Sequence, residues 1–239
     1  MTTLLYQQDS YLRNCNTTIC EIHPEGVILS ETPLYPGGGG QPCDYGELAA
    51  DGSTLKVTGV KRVGGKIVHL IDEAHSLSIG QKVSCTVDWD RRYKLMRTHT
   101  AMHILCGVIW RDYQAQVTGG NMEPCRGRMD FEFEKMNKDL IEEIEVKLNK
   151  EVNAKRQINV NTLSRQDAFK IPDLIRTKIN LLPSNILEVR TVELVGLDLQ
   201  ADGGTHVANT EEVGPLRITD YKSKGKLNKR IILELLESN

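Results

Sequence analysis

The sequence predicts an α+β chain in two parts. A small β-barrel domain covers residues 1–89, and an α+β domain over residues 90–239 is built on a mainly antiparallel sheet and one helix that carries candidate metal ligands. Three observations lead there. The first ninety residues hold short runs rich in Val, Ile, Thr and Leu, separated by glycine turns. A helical period of apolar positions, among them Leu95, Met96, Leu105 and Ile109, begins at Arg91 and runs to about Asp112. Later segments alternate as strands do, and the chain closes on a hairpin pattern.

The barrel strands are expected at residues 18–23, 27–32, 54–63, 66–71 and 82–87, with turns at Glu25-Gly26, Asp51-Gly52 and Gly64-Gly65. Asp90 is placed to cap the first helix. A short strand near residues 116–118, a turn at Gly119-Gly120 and a strand over 128–134 follow; in the last, Met129, Phe131 and Phe133 alternate with Asp130, Glu132 and Glu134. Asn137 should cap a second helix reaching about Lys155, because Ile141, Ile144, Leu148 and Val152 recur at helical spacing. Strands over 158–163, 186–192 and 213–221 come next, with a short helix after Ser164. The last hairpin turns through residues 222–226, where Lys222, Lys224 and Lys226 form a basic tip that on its own is a soluble turn.

Composition excludes several classes. A 39% hydrophobic and 26% charged chain is ordinary for a folded soluble protein and argues against extensive disorder. The net charge of −2 gives no global attraction to a polyanion, so any nucleic acid must be met by a local patch. No basic-then-apolar leader and no apolar run of membrane-spanning length is present, which reads as a cytoplasmic protein with no membrane partner. The six cysteines lack a CxxC pair and read as small buried side chains or free thiols.

Chemistry concentrates in two places. His99 and His103 lie one helical turn apart on one face and can share a metal, with six histidines in the whole chain to choose from. His206 stands in Gln200-Ala201-Asp202-Gly203-Gly204-Thr205-His206, where two glycines let the backbone bend tightly and Asp202 repeats the four-residue spacing. Imidazole and carboxylate are both acceptable zinc donors. Thr100 stands where a zincin peptidase carries its glutamate, so that reading is poor.

The second place is Tyr35-Pro36-Gly37-Gly38-Gly39-Gly40-Gln41-Pro42-Cys43-Asp44. No Gly-Lys-Ser/Thr follows to make a phosphate loop, and Pro42 obstructs a dinucleotide-binding helix. It is either a connector between strands or a loop whose bare backbone approaches a ligand or the neighbouring domain, with Gln41 and Asp44 as polar groups.

Taken in order, Pro36 to Gln41, the His99–His103 helix and the Asp202–His206 loop resemble the editing region of alanyl-tRNA synthetase. More closely, the chain resembles the free-standing AlaX editing proteins, in their longer form with a glycine-rich-motif barrel. The resemblance implies a zinc-binding tRNA editing domain after the barrel, and a zinc-dependent aminoacyl-tRNA deacylase acting in trans. Its partner would be tRNA(Ala) mischarged with serine or glycine, an error an alanine-sized synthetic pocket rejects poorly. It also implies metal ligation by His99, His103 and His206, a catalytic pair of Gln41 and a serine-recognising Thr118, and substrate contacts by Gly38, Gly39 and Gly40. Lys222, Lys224 and Lys226, with Arg91, Arg92 and Lys94, would hold acceptor-stem phosphates.

The family's usual cysteine ligand is replaced by Asp202, which either ligates through oxygen or holds the first shell in place. Zinc with an exchangeable position would activate water and polarise an ester carbonyl, or would grip the substrate; the residues leave both open. A non-catalytic tRNA-binding module, in which Asp202 closes a structural zinc site, is the alternative. An unrelated hydrolase of a small ester leaves the glycine-rich stretch unexplained. Charging activity is not expected, and the chain is expected to be a monomer or weak dimer.

Overall fold

The computed structural model describes residues 1–175 and 186–236. Two compact units emerge, Met1–Lys94 and Leu95–Asn239. The first contains β1 (Thr3–Leu4), β2 (Asn14–His23), β3 (Gly26–Leu29), β4 (Glu31–Thr32), β5 (Gly46–Ala50), β6 (Ser53–Val57), β7 (Gly59–Val63), β8 (Lys66–Leu70) and β9 (Lys82–Val87). The second contains β10 (Val117–Glu123), β11 (Arg126–Glu132), α2 (Lys138–Asn153), β12 (Ile158–Ser164), α3 (Arg165–Ala168), β13 (Glu188–Leu194), β14 (Asp198–Ala201), β15 (Leu216–Ser223) and β16 (Asn228–Leu235). Helix α1 (Trp89–Tyr113) starts in the first and continues into the second.

Seven strands of the first unit form one antiparallel sheet in the order β6-β5-β9-β2-β3-β8-β7. Its two outermost strands are separated in the chain by Thr58 alone, so the sheet must curl until its edges nearly meet. Ile19, Val27, Leu29, Leu48, Val57 and Val83 fill the interior. The barrel expectation holds, with corrections, the first being that residues 27–32 form two strands, β3 and β4, with β4 paired in parallel to β1. The residue 54–63 run is two strands bent at Thr58, β2 begins at Asn14, and β5 was not foreseen because Gly46-Glu47-Leu48-Ala49-Ala50 lacks β-branched residues.

The glycine-rich stretch is built into this unit. Gly37, Gly38, Gly39 and Gly40 all have positive φ, between 58° and 137°, a conformation that explains why no side chain interrupts the run. Gly38 and Gln41 exchange backbone hydrogen bonds of 3.0 and 2.9 Å. Asp44 closes the neck by accepting from the Tyr35 amide at 2.7 Å and pairing with Arg92, and both charged side chains are fully buried. Arg92 also donates to the Ser10 and Pro33 carbonyls. Arg92 is therefore corrected from a phosphate contact to a structural cation, and Asp44 from a ligand group to its counterion.

In the second unit β10-β11-β16-β15 make one antiparallel sheet and β12-β13-β14 another. Asn137 caps α2 as expected, its side chain accepting from Leu140 at 2.9 Å. At α1 the cap is Asp88, which accepts from the Arg91 amide, rather than Asp90. Gly119-Gly120 lies inside β10, and the chain turns instead through Pro124 and Cys125. Residue 213, expected in a strand, belongs to a short 3-10 turn. All six cysteines are free thiols. No described helix is long and apolar enough to cross a membrane.

Candidate metal centre

Two elements bring four donors together. Helical spacing puts His99 and His103 on one side of α1, both about 5% exposed. The loop after β14 brings Asp202 and His206 to them. It is tied to β13, since the Asp202 amide donates to the Arg190 carbonyl and an Arg190 guanidinium nitrogen donates to the Asp202 carbonyl, each at 3.0 Å. Asp202 Oδ1 accepts from the Gly204 amide at 2.6 Å, which fixes the carboxylate.

Asp202 lies 3.3 Å from His99 Nε2, 3.6 Å from His103 Nε2 and 3.3 Å from His206 Nε2. Donors around a tetrahedral zinc ion at about 2.0–2.1 Å lie about 3.3–3.4 Å from one another, so this spacing suits a single ion. One donor atom from each of the four residues lies within 4.8 Å of the others, so the group could hold a metal. The His99 and His206 rings stack with centroids 4.2 Å apart.

The far nitrogens are engaged. His103 Nδ1 is 3.0 Å from Asp198 Oδ2, and His206 Nδ1 is 3.1 Å from the Thr100 hydroxyl. With Nδ1 protonated and donating outward, each ring turns the lone pair of Nε2 toward Asp202. Thr100 therefore orients the His206 ring. Asp198 is a member that sequence reasoning missed: it lies 95 residues from His103 in the chain and is brought there by the β13–β14 pairing.

Gly107 permits that contact. It lies one turn beyond His103, and a Cβ there would sit 2.8 Å from Leu197 and 3.1 Å from Asp198 Cβ.

Charge balance in the cluster is uneven. Burial pushes His103 down, but Asp198 and Asp202 outweigh it and raise the imidazole to about 9. Burial also opposes ionisation of Asp202, yet the surrounding histidines hold its carboxyl well below the usual range. His206 is held well below its ordinary value by burial and by the charge of His99. The pocket thus favours a carboxylate with cationic charge close by, which is the balance a divalent ion would also satisfy.

The chain is similar to proteins of tRNA aminoacylation and editing. Residues 8–91 match the family described as class II (A) tRNA synthetases, and residues 189–232 match the threonyl and alanyl tRNA synthetase second additional domain. The alanyl-tRNA editing protein AlaX-M of Saccharolobus solfataricus is 40% identical over 233 residues, 97% of this chain and 98% of its own. The chain belongs to the AlaX-M family. Another AlaX-M protein, from Methanosarcina barkeri, is 36% identical over 243 residues, 99% of this chain and all of its own. The alanine–tRNA ligase of Ignicoccus hospitalis is 34% identical over 223 residues, which is 91% of this chain but 24% of the ligase.

The Thr118 side chain is exposed at a bulge of β10, and its hydroxyl donates to Asn228 at 3.0 Å. Gln41 is buried in the glycine turn of the first unit. Lys222, Lys224 and Lys226 are exposed at the β15–β16 turn, with Lys222 3.7 Å from Asp220.

Proposed function

We propose that this chain deacylates mischarged tRNA(Ala) in trans, with Ser-tRNA(Ala) as its main substrate and Gly-tRNA(Ala) as a second, at a zinc site made by His99, His103, His206 and Asp202. The observation that carries the proposal is the convergence of three imidazole Nε2 atoms on one carboxylate at 3.3–3.6 Å, in a chain matched end to end by AlaX-M proteins. Zinc bound by these donors would supply a Lewis acid beside the ester of the 3′-terminal ribose. The protein's own residues do the remaining work. Asp198 and Thr100 fix the imidazoles before substrate arrives, and burial of the three rings limits competition from solvent. The family resemblance further assigns Thr118, at the serine hydroxyl, and Gln41 to the catalytic set, the bare backbone of Gly38, Gly39 and Gly40 to the substrate, and Lys222, Lys224 and Lys226 to phosphates. Such an activity serves the fidelity of protein synthesis.

Asp202 also favours a second reading. As a fourth protein donor it could close the site, making the metal structural and the chain a tRNA-binding module. Deacylation of Ser-, Gly- and Ala-tRNA(Ala) by wild type and His103→Ala, with zinc measured on the same samples, separates the two. Editing requires loss of the seryl form, sparing of the alanyl form and an inactive variant. A folded, zinc-loaded wild type that spares all three favours the binding module. Chelation should silence an editing enzyme that stays folded, whereas it should unfold a protein whose zinc is structural.

A further inference from the structure

The face of the β10-β11-β16-β15 sheet that carries Arg126, Arg128 and Asp130 is laid out in cross-strand rows, and one row lacks a counterion. In the first, Arg126 stands between Glu123 and Glu234, and its Nε lies 3.2 Å from the Glu234 carboxylate. In the third, Asp130 receives two hydrogen bonds from Arg230, at 2.7 and 2.8 Å. Between them Arg128 stands opposite Asn121 on one side and Ile232 on the other, an amide and an aliphatic group. Directly opposed charges are the pairs that stabilise a sheet, and this row has none.

These residues line a shallow groove of about 180 Å³ with Met122, Glu123 and Gly127. Arg128 Nε is buried with no hydrogen-bond partner among the described residues. The Asn121 carbonyl oxygen accepts from the Met122 amide at 2.9 Å, so the end of that side chain left for the groove is its NH₂. A guanidinium and an amide NH₂ are both donors. Along the edge strand, Gly119 has little above it, since an added Cβ would meet nothing nearer than Asp130 at 3.9 Å. Glu123, two residues along the strand from Asn121, stands opposite Arg126, whose ion pair is with Glu234.

We propose that Arg128 and Asn121 form a subsite for one phosphate oxyanion of the RNA backbone, with Arg128 offering a planar fork of donors and Asn121 a further N–H. An oxyanion satisfies the guanidinium and amide donors of Arg128 and Asn121, and the low glycine wall lets a bulky polymer approach. The inference rests on the reading that the substrate is a tRNA.

The test compares binding of fluorescein-labelled, unacylated tRNA(Ala) to full-length wild type, Arg128→Gln and Arg128→Lys over a range of potassium chloride concentrations. Arg128→Gln should bind roughly tenfold more weakly at low salt, and the slope of log affinity against log salt should fall by about one. Arg128→Lys should restore most of the slope. The thermal midpoint should show that each variant is folded. Coincident salt lines for wild type and Arg128→Gln overturn the proposal.

A second arm follows the Arg128 Nε–H resonance during titration with inorganic phosphate. A shift with phosphate but no change in tRNA affinity assigns the groove to a free anion and overturns the RNA source. A wild type that binds tRNA through Arg128 without deacylating it rejects the editing reading alone.

Discussion

Asp198 Oδ2 lies 3.0 Å from His103 Nδ1, and this contact sets which nitrogen of the ring faces the other donors. Replacing Asp198 with Asn removes the charge and weakens control of the tautomer. Zinc affinity should fall by about tenfold to a hundredfold, measured by competition with a chromophoric chelator. Unchanged affinity would show that the helix alone orients His103.

Gly107→Ala tests the same contact from the other side. Alanine favours a helix by about 1 kcal/mol over glycine, but overpacking against Leu197 and Asp198 costs about 1–3 kcal/mol. Net destabilisation is expected in urea unfolding, together with weaker zinc binding as Asp198 is pushed from His103. A more stable protein would mean that the β14 entry yields freely.

The Arg92–Asp44 pair has no access to solvent, so removing one partner leaves a buried charge. Arg92→Met should cost about 3–5 kcal/mol, and the double variant with Asp44→Leu should recover much of that loss. Chemical denaturation of the four proteins in the cycle checks this. Equal loss in the single and double variants would place the cost in packing, not charge.

His69 makes the barrel sensitive to acid. It is completely buried, with Nε2 2.8 Å from the Thr32 hydroxyl and Nδ1 3.3 Å from the Val27 carbonyl, and burial lowers it to about 4 despite that carbonyl. The unfolded imidazole takes up a proton near pH 6.5, whereas the folded one waits until about 4. Stability is therefore full above pH 6.5, falls as pH drops toward 4, and levels below that. The fall from this residue should reach roughly 3 kcal/mol, and His69→Gln should remove most of it when unfolding is compared at pH 7 and 4.5. Parallel profiles for the two proteins would put the acid sensitivity elsewhere.

The candidate centre was legible where its members share a local spacing. His99 with His103, and Asp202 with His206, each announce themselves four residues apart. Asp198 does not, because only the pairing of β13 with β14 brings it to the helix. Glycine misled in one place and informed in another: Gly119-Gly120 read as a turn but lies in an edge strand, while Gly37 to Gly40 do require the positive φ that their sequence suggests. Arg92 read as a surface cation because its charge is visible in sequence and its burial is not. Strand β5 escaped notice because its residues have little intrinsic preference for a sheet, and pairing with β6 and β9 supplies what propensity lacks.

In the barrel order, β9 is the last strand made and yet stands between β5 and β2. On a growing chain the β5–β6 hairpin and the β2-β3-β8-β7 group can each form early, but both keep one bare edge until Lys82–Val87 has left the ribosome. A nascent chain stalled before that strand therefore exposes two sticky edges at once. Emergence of those six residues covers both.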